Sequence, residues 1–201
     1  QSMGALPCGY LRYYYMADKM LEEQIESLKT IGTRAEVVKQ IEQELFELYK
    51  DPNLNYKPEQ LEKRGGAYYS LAAVDLIDSI YNDKNDIQTV NVQNCGMLPF
   101  LPDDVSIEIN SIINAEGAHP IQLDTKIGPH MRGLIQVVKS FEELVVEAAV
   151  KGDYNAALQA LTIHPLINSA DAAKLILDDI ISENVQYLPQ FNNKKIYYNQ
   201  V

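Results

Sequence analysis

Apolar residues recur at helical spacing along most of this chain, and every second residue in one short central stretch. Leu11, Tyr14, Tyr15, Ala17, Met20, Leu21, Ile25 and Leu28 mark a first helix from Tyr10 to about Lys29. Gly32 ends it, and Thr33 with Glu36 has the spacing of a capping box for a second helix through Val37, Ile41, Leu45 and Phe46. Asp51-Pro52-Asn53 stops that helix, and residues 51–66 read as a polar loop. A third helix, from Tyr68 to Ile80, is so apolar on its early turns that burial is expected. The period then changes. Ile87 to Val92 alternates, as do Val105, Ile107, Ile109 and Ile112, and His119 to Leu123 offers a third short strand. Helical spacing returns for Pro129–Val150, Tyr154–Leu161 and Ser169 to about Tyr187, before a polar tail from Pro189 to Val201. The expectation is an α+β fold, mainly helical, with a small and mostly antiparallel sheet. No boundary divides 1–201, which reads as a single domain.

Composition narrows function. With 17 Lys and Arg against 28 Asp and Glu, the net charge is −11, and no basic cluster offers a phosphate backbone its counterions. Nucleic-acid binding and a polybasic membrane anchor are therefore not expected. No apolar run reaches the roughly 18 residues of a membrane span. Two cysteines, Cys8 and Cys95, suit a reducing, cytoplasmic setting rather than a disulfide scaffold. No Gly-rich turn between strand and helix offers a dinucleotide site, and Cys8, Cys95, His119, His130 and His164 lack metal-ligand spacing.

Thirteen tyrosines stand against four phenylalanines and no tryptophan. Tyrosine joins an apolar ring to a hydroxyl and suits places where core meets polar ligand. The sharpest local feature is Lys63-Arg64-Gly65-Gly66-Ala67-Tyr68-Tyr69-Ser70. Two glycines before a helix let the backbone turn tightly and a ligand approach the first turn. A phenol beside Arg64 is a candidate general base. Spacing alone equally allows a helix-breaking loop with two packing tyrosines. Asn91 and Asn94, at the end of a strand, are candidate amide contacts or residues of a plain turn. Arg132, beside His130 at a helix start, is a candidate anion contact.

Several segments together resemble glycoside hydrolase family four, in its 6-phospho-β-glucosidase branch. They are Pro7 to Tyr15, Asp51-Pro52-Asn53, Lys63 to Ser70, Ile80 to Asp83, Gly128 to Ile135 and Glu147 to Leu166. The resemblance runs in order along nearly the whole chain and covers the family's C-terminal half only. It implies a domain of the lactate and malate dehydrogenase type, for substrate binding and oligomerisation. The N-terminal Rossmann half lies outside the chain. It also implies NAD-dependent glycoside cleavage. NAD oxidises the 3-hydroxyl, a tyrosinate removes the proton on carbon 2, and a divalent metal such as manganese steadies the enolate. The aglycone then leaves, water adds and the hydride returns.

Carried onto this chain, the family's base is Tyr69, while Tyr68 falls on a variable position. Arg64, Asn91, Asn94 and Arg132 are the candidate substrate contacts. No NAD or metal ligand is expected within these residues, so the chain alone should be inactive. At Gln93 and Cys95 the sequence departs from the Asn-x-Arg-Asn-Asn-Gly of many relatives, which leaves substrate preference open. The implied substrate is a phosphorylated disaccharide or aryl glucoside, and the implied assembly is a homodimer or tetramer. Two rival readings are a 6-phospho-α-glucosidase or α-galactosidase of the same family, and a non-catalytic helical interaction domain.

Overall fold

A computed structural model describes residues 8–65, 68–167 and 169–191. Gly66 of the glycine pair and the tail beyond Phe191 lie outside the described residues. Eight α-helices and three strands follow one another: α1 (Arg12–Tyr15), α2 (Ala17–Thr30), α3 (Arg34–Leu48), α4 (Gln60–Arg64), α5 (Tyr69–Tyr81), β1 (Asp86–Gln93), β2 (Ser106–Asn114), β3 (Gly117–Pro120), α6 (Pro129–Lys151), α7 (Tyr154–Ile163) and α8 (Ala170–Glu183). No described helix is long and apolar enough to cross a membrane. The chain forms two compact units. One runs to Val92 and takes in Glu108–Ile121; the other is Gln93–Ile107 with the chain from Gln122 onward.

In the first unit, the single helix expected from Tyr10 to Lys29 is interrupted at Met16, whose φ of −138° separates α1 from α2. Arg12 reaches past the break to both carboxylate oxygens of Glu23, at 3.1 and 2.8 Å. The capping box at Thr33 forms as expected: Thr33 Oγ1 accepts from Glu36 N, and Glu36 Oε2 accepts from Thr33 N at 2.7 Å. Ile41 and Leu45 are the buried side chains of α3.

Two expectations fail in this unit. The loop predicted over 51–66 contains the five-residue α4. So short a helix is marginal alone, and contacts from α3 complete it. The burial expected of α5 also fails: Ser79 is its one buried residue, while Leu71, Val74, Ile77 and Ile80 are 41–65% exposed. Its firmest attachment is polar. Ser79 Oγ lies 2.8 Å from Asp75 O and 2.9 Å from Asp86 Oδ2, and accepts from Gln88 Nε2 at 2.7 Å. The bonds to Asp86 and Gln88 tie α5 to β1.

The strands stand in the order β1-β2-β3. β2 pairs antiparallel with β3, Ser111 opposite Pro120 and Asn114 opposite Gly117. The third strand thus begins two residues before the expected His119 and ends before Ile121. Alternation along β2 buries Ile107, Ile109, Ser111 and Ile113 and exposes Ile112. The sequence pattern groups Ile112 with Val105, Ile107 and Ile109; the true period runs through a serine, whose hydroxyl bonds Ile109 O, and that serine disguises it. β1 exposes Ile87, Thr89, Asn91 and Gln93.

In the second unit, β1 gives way to a tight turn, Asn94-Cys95-Gly96-Met97, closed by Met97 N to Asn94 O at 2.8 Å. Both central residues have positive φ, +42° at Cys95 and +84° at Gly96, as a type I′ turn requires. Glycine adopts this freely and cysteine does not. Further on, α6, α7 and α8 pack in sequence. Ala148, Ala156, Ala160 and Ala173 are buried among them, small enough for close helix approach. Asp153 caps α7 and Ser169 caps α8. Tyr154 Oη donates to Asp178 Oδ1 at 2.8 Å, joining α7 to α8. Gly152 ends α6 at φ +64°, and a Cβ there would sit 2.0 Å from Gln190 O.

Two predictions follow from these caps and turns. Cys95→Asn keeps the turn and places there a residue that tolerates positive φ, so stability should rise by about 1 kcal/mol, read from the urea midpoint. The Thr33 backbone N–H, and then its hydroxyl, hold the Glu36 carboxyl below the usual glutamate range. A lowered folded value means that the cap's contribution is present above the ordinary glutamate pKa and lost as pH falls through the folded one. Acid titration of the melting temperature should show that loss, and Glu36→Gln should flatten it.

Candidate functional site

The connection from α4 to α5 carries the candidate base. α4 ends at Arg64, and Gly65 leaves it at φ +100° and ψ 164°, a conformation open to glycine. α5 begins at Tyr69. Tyr69 is 80% exposed, so it is open to an incoming molecule. Tyr68, one residue earlier, lies under Lys57, whose Nζ is 5.5 Å from the ring centroid. The Arg64 side chain is about half exposed and paired with Glu42. Its Nε and Nη2 both donate to Glu42 Oε1, at 2.8 and 2.7 Å.

The expected contacts divide between the two units: Arg64, Tyr69 and Asn91 belong to the first, Asn94 and Arg132 to the second. Asn91 is exposed on the outward side of β1, which it shares with Thr89 and Gln93. Asn94 is fully buried, and this corrects its expected role as a ligand contact. Its Nδ2 lies 3.0–3.1 Å from the carbonyls of Leu98, Leu101 and Pro102, and its Oδ1 accepts from Leu98 N at 2.7 Å. A buried amide is costly unless its bonds are made. These bonds fold residues 97–102 around it. Asn94 thus shapes a loop instead of meeting a ligand.

That loop forms one wall of a groove of about 440 Å³. Met97 to Phe100 face it from one side and Gln122 to Ile127 from the other, with Arg132 from the first turns of α6. Lys126 and Arg132 give it two cationic groups and Asp124 one anionic group, on a largely apolar lining. Periodicity gave no sign of this groove, because residues 122–127 belong to no helix or strand. Arg34 and Glu42, the residues that grip the end of α4, also escaped the sequence reading, since their partners lie 22–30 positions away. Among the described residues no group of three or more His, Cys, Asp and Glu is placed to hold a metal ion.

Residues 1–167 match the family 4 glycosyl hydrolase C-terminal domain. The chain is 54% identical, over 194 residues, to a protein of Bacillus subtilis (strain 168) named as a probable 6-phospho-beta-glucosidase, covering 96% of this chain and 44% of that protein. Among solved structures it resembles the 6-phospho-beta glucosidase of Thermotoga maritima with manganese, NAD+ and glucose-6-phosphate. The TM-score is 0.74 at 38% identity, over 89% of this chain and 42% of that one. It also resembles a 6-phospho-alpha-glucosidase from gut microorganisms in complex with NAD and glucose-6-phosphate, with a TM-score of 0.75 at 30% identity, over 92% of this chain and 41% of that one. The chain spans less than half the length of each of these relatives. Over that span it belongs to the family 4 glycosyl hydrolases, as their C-terminal domain.

Proposed function

We propose that this chain is the substrate-side domain of an NAD- and divalent-metal-dependent 6-phospho-β-glucosidase, acting on phosphorylated disaccharides or aryl glucosides, with Tyr69 as its base. The observation that carries the assignment is the place of Tyr69: an exposed phenol at the first residue of α5, three residues after the Arg64-Gly65-Gly66 of the motif. The β preference is supported by 54% identity to a protein named for β-glucosides against 30% to one named for α-glucosides. The α reading stays open chemically, because a base acting at carbon 2 does not depend on the configuration at carbon 1.

The described residues do not gather a metal-binding set, and the reading assigns NAD and the metal, manganese by preference, to the other half of the enzyme. No step here runs through them. What this chain supplies is proton transfer. The Tyr69 oxygen takes the proton from a carbon 2 that neighbours a carbonyl. The electron pair left behind expels the aglycone oxygen from carbon 1, and that oxygen takes a proton from solvent. Water then adds at carbon 1 and gives its remaining proton to solvent, and the phenol returns its proton to carbon 2. A phenolate suits so weak a carbon acid better than a carboxylate does.

The reading keeps Asn91 and Arg132 as substrate contacts. It keeps Arg64 as one only if the guanidinium leaves Glu42, and it gives Asn94 to the loop. A cytoplasmic setting fits the two exposed thiols, Cys8 and Cys95. Assembly into a dimer or tetramer fits the stripe of Leu71, Val74, Ile77 and Tyr81, spaced three and four residues apart and exposed along α5.

In the enzyme with both halves, Tyr69→Phe should lower turnover of an aryl 6-phospho-β-glucoside, with NAD and manganese present, by roughly 10²–10⁴-fold at unchanged melting temperature. Retained activity would move the base elsewhere, and no cleavage by the parent protein would sink the proposal. Light scattering across a concentration series should show this chain associating, and Ile77→Glu should weaken that association. A monomer at every concentration would remove the assembly from the reading.

A further inference from the structure

The end of α4 is held from α3 by two side chains that make no contact with a ligand in the reading above. Arg34, the first residue of α3, donates from Nη2 to Lys63 O at 2.8 Å and to Arg64 O at 3.1 Å. Carbonyls at the end of a helix have no partner within it, and this guanidinium supplies one. Eight residues along α3, a little over two turns, Glu42 holds the Arg64 guanidinium itself through Nε and Nη2. One helix therefore grips both the backbone and the side chain of the last residue before the glycine pair.

α3 is a firm base for such a grip. It is 15 residues long, closed at its start by the capping box and anchored by buried Ile41 and Leu45. α4, at five residues, has little stability of its own. Past the glycines, Lys57 stands over the Tyr68 ring. The backbone is thus held at the end of α4, at Lys63 and Arg64, five residues before Tyr69.

We propose that Arg34 and Glu42 are positioning residues for Tyr69: they fix the exit of α4 and so the direction from which the phenol meets the substrate. This inference rests on the reading of Tyr69 as the base. The contacts are largely solvent-exposed, and exposed ion pairs contribute little to stability. Their role is direction. A base displaced by about an ångström can cost up to roughly two orders of magnitude in rate with the fold intact.

Hydrogen exchange tests the grip in this chain, without reference to catalysis. In Arg34→Ala, the amides of Leu61 and Glu62 in α4, which donate to Pro58 O and Glu59 O, should exchange about tenfold faster, those of α3 beyond its first turn should keep their rates, and melting should stay within about 3 °C of the parent. Unchanged exchange at Leu61 and Glu62 would overturn the proposal. Kinetics test the positioning in the enzyme with both halves. Arg34→Ala and Glu42→Gln should each lower kcat about 10-fold with KM changed less than about twofold, and should raise the isotope effect for substrate deuterated at carbon 2. Added guanidinium should restore part of the rate to Arg34→Ala. A rise in KM alone, or full activity despite loosened exchange, would overturn the positioning role. If Tyr69→Phe keeps full activity, the base assignment falls and the positioning role falls with it. The exchange result, which does not depend on Tyr69, tells that failure from a failure of the grip.

Discussion

A fully buried carboxamide organises the second unit. Asn94 sits where β1 ends, and its two polar atoms meet one backbone N–H and three carbonyls of the next eight residues. Left unmade, those bonds would each impose the desolvation cost of a buried polar group. The loop from Met97 to Pro102 therefore has little choice of path. Leu98 and Leu101 are buried, and Met97 to Phe100 wall the groove that Arg132 enters from α6. Cys95 meets the demand of the same turn with a backbone angle that its side chain resists.

The first unit uses polar contacts in a comparable way, around a buried serine. α5 is the most apolar of the helices by composition, yet Ser79, Asp86 and Gln88 are what tie it to the sheet, while Leu71, Val74 and Ile77 face outward. At its other end the helix starts with Tyr69, beyond a glycine exit that α3 holds from one side. Under the proposed function, a helix tied near its end by buried hydrogen bonds, with the exit of α4 held before it, narrows the directions open to Tyr69, as a base taking a proton from carbon requires.

The helices of the second unit show how far local rules reach. Pro129 at the first position of α6, Gly152 at its end, Asp153 and Ser169 as caps each act over a few residues, and the elements begin and end close to where those residues place them. The capping box at Thr33 belongs with them. α4 does not, because the group that meets its last carbonyls, Arg34, lies about thirty positions away. Nor does the break at Met16, which no glycine or proline announces.

By itself, then, the sequence determined the order of helices and strands, the antiparallel character of the small sheet, and, through its resemblance to a family, the chemistry to look for and the tyrosine to look at. Those are properties of period, of caps and of short motifs, which are written in neighbouring residues. Only the tertiary structure decided that Asn94 is spent on its own loop, that Arg64 is held by Glu42, that α5 leaves its apolar stripe exposed, and that Ile113 rather than Ile112 faces inward past a buried serine. Each of these depends on which groups meet across long stretches of chain, and on whether water or protein satisfies them, and no local pattern carries that information.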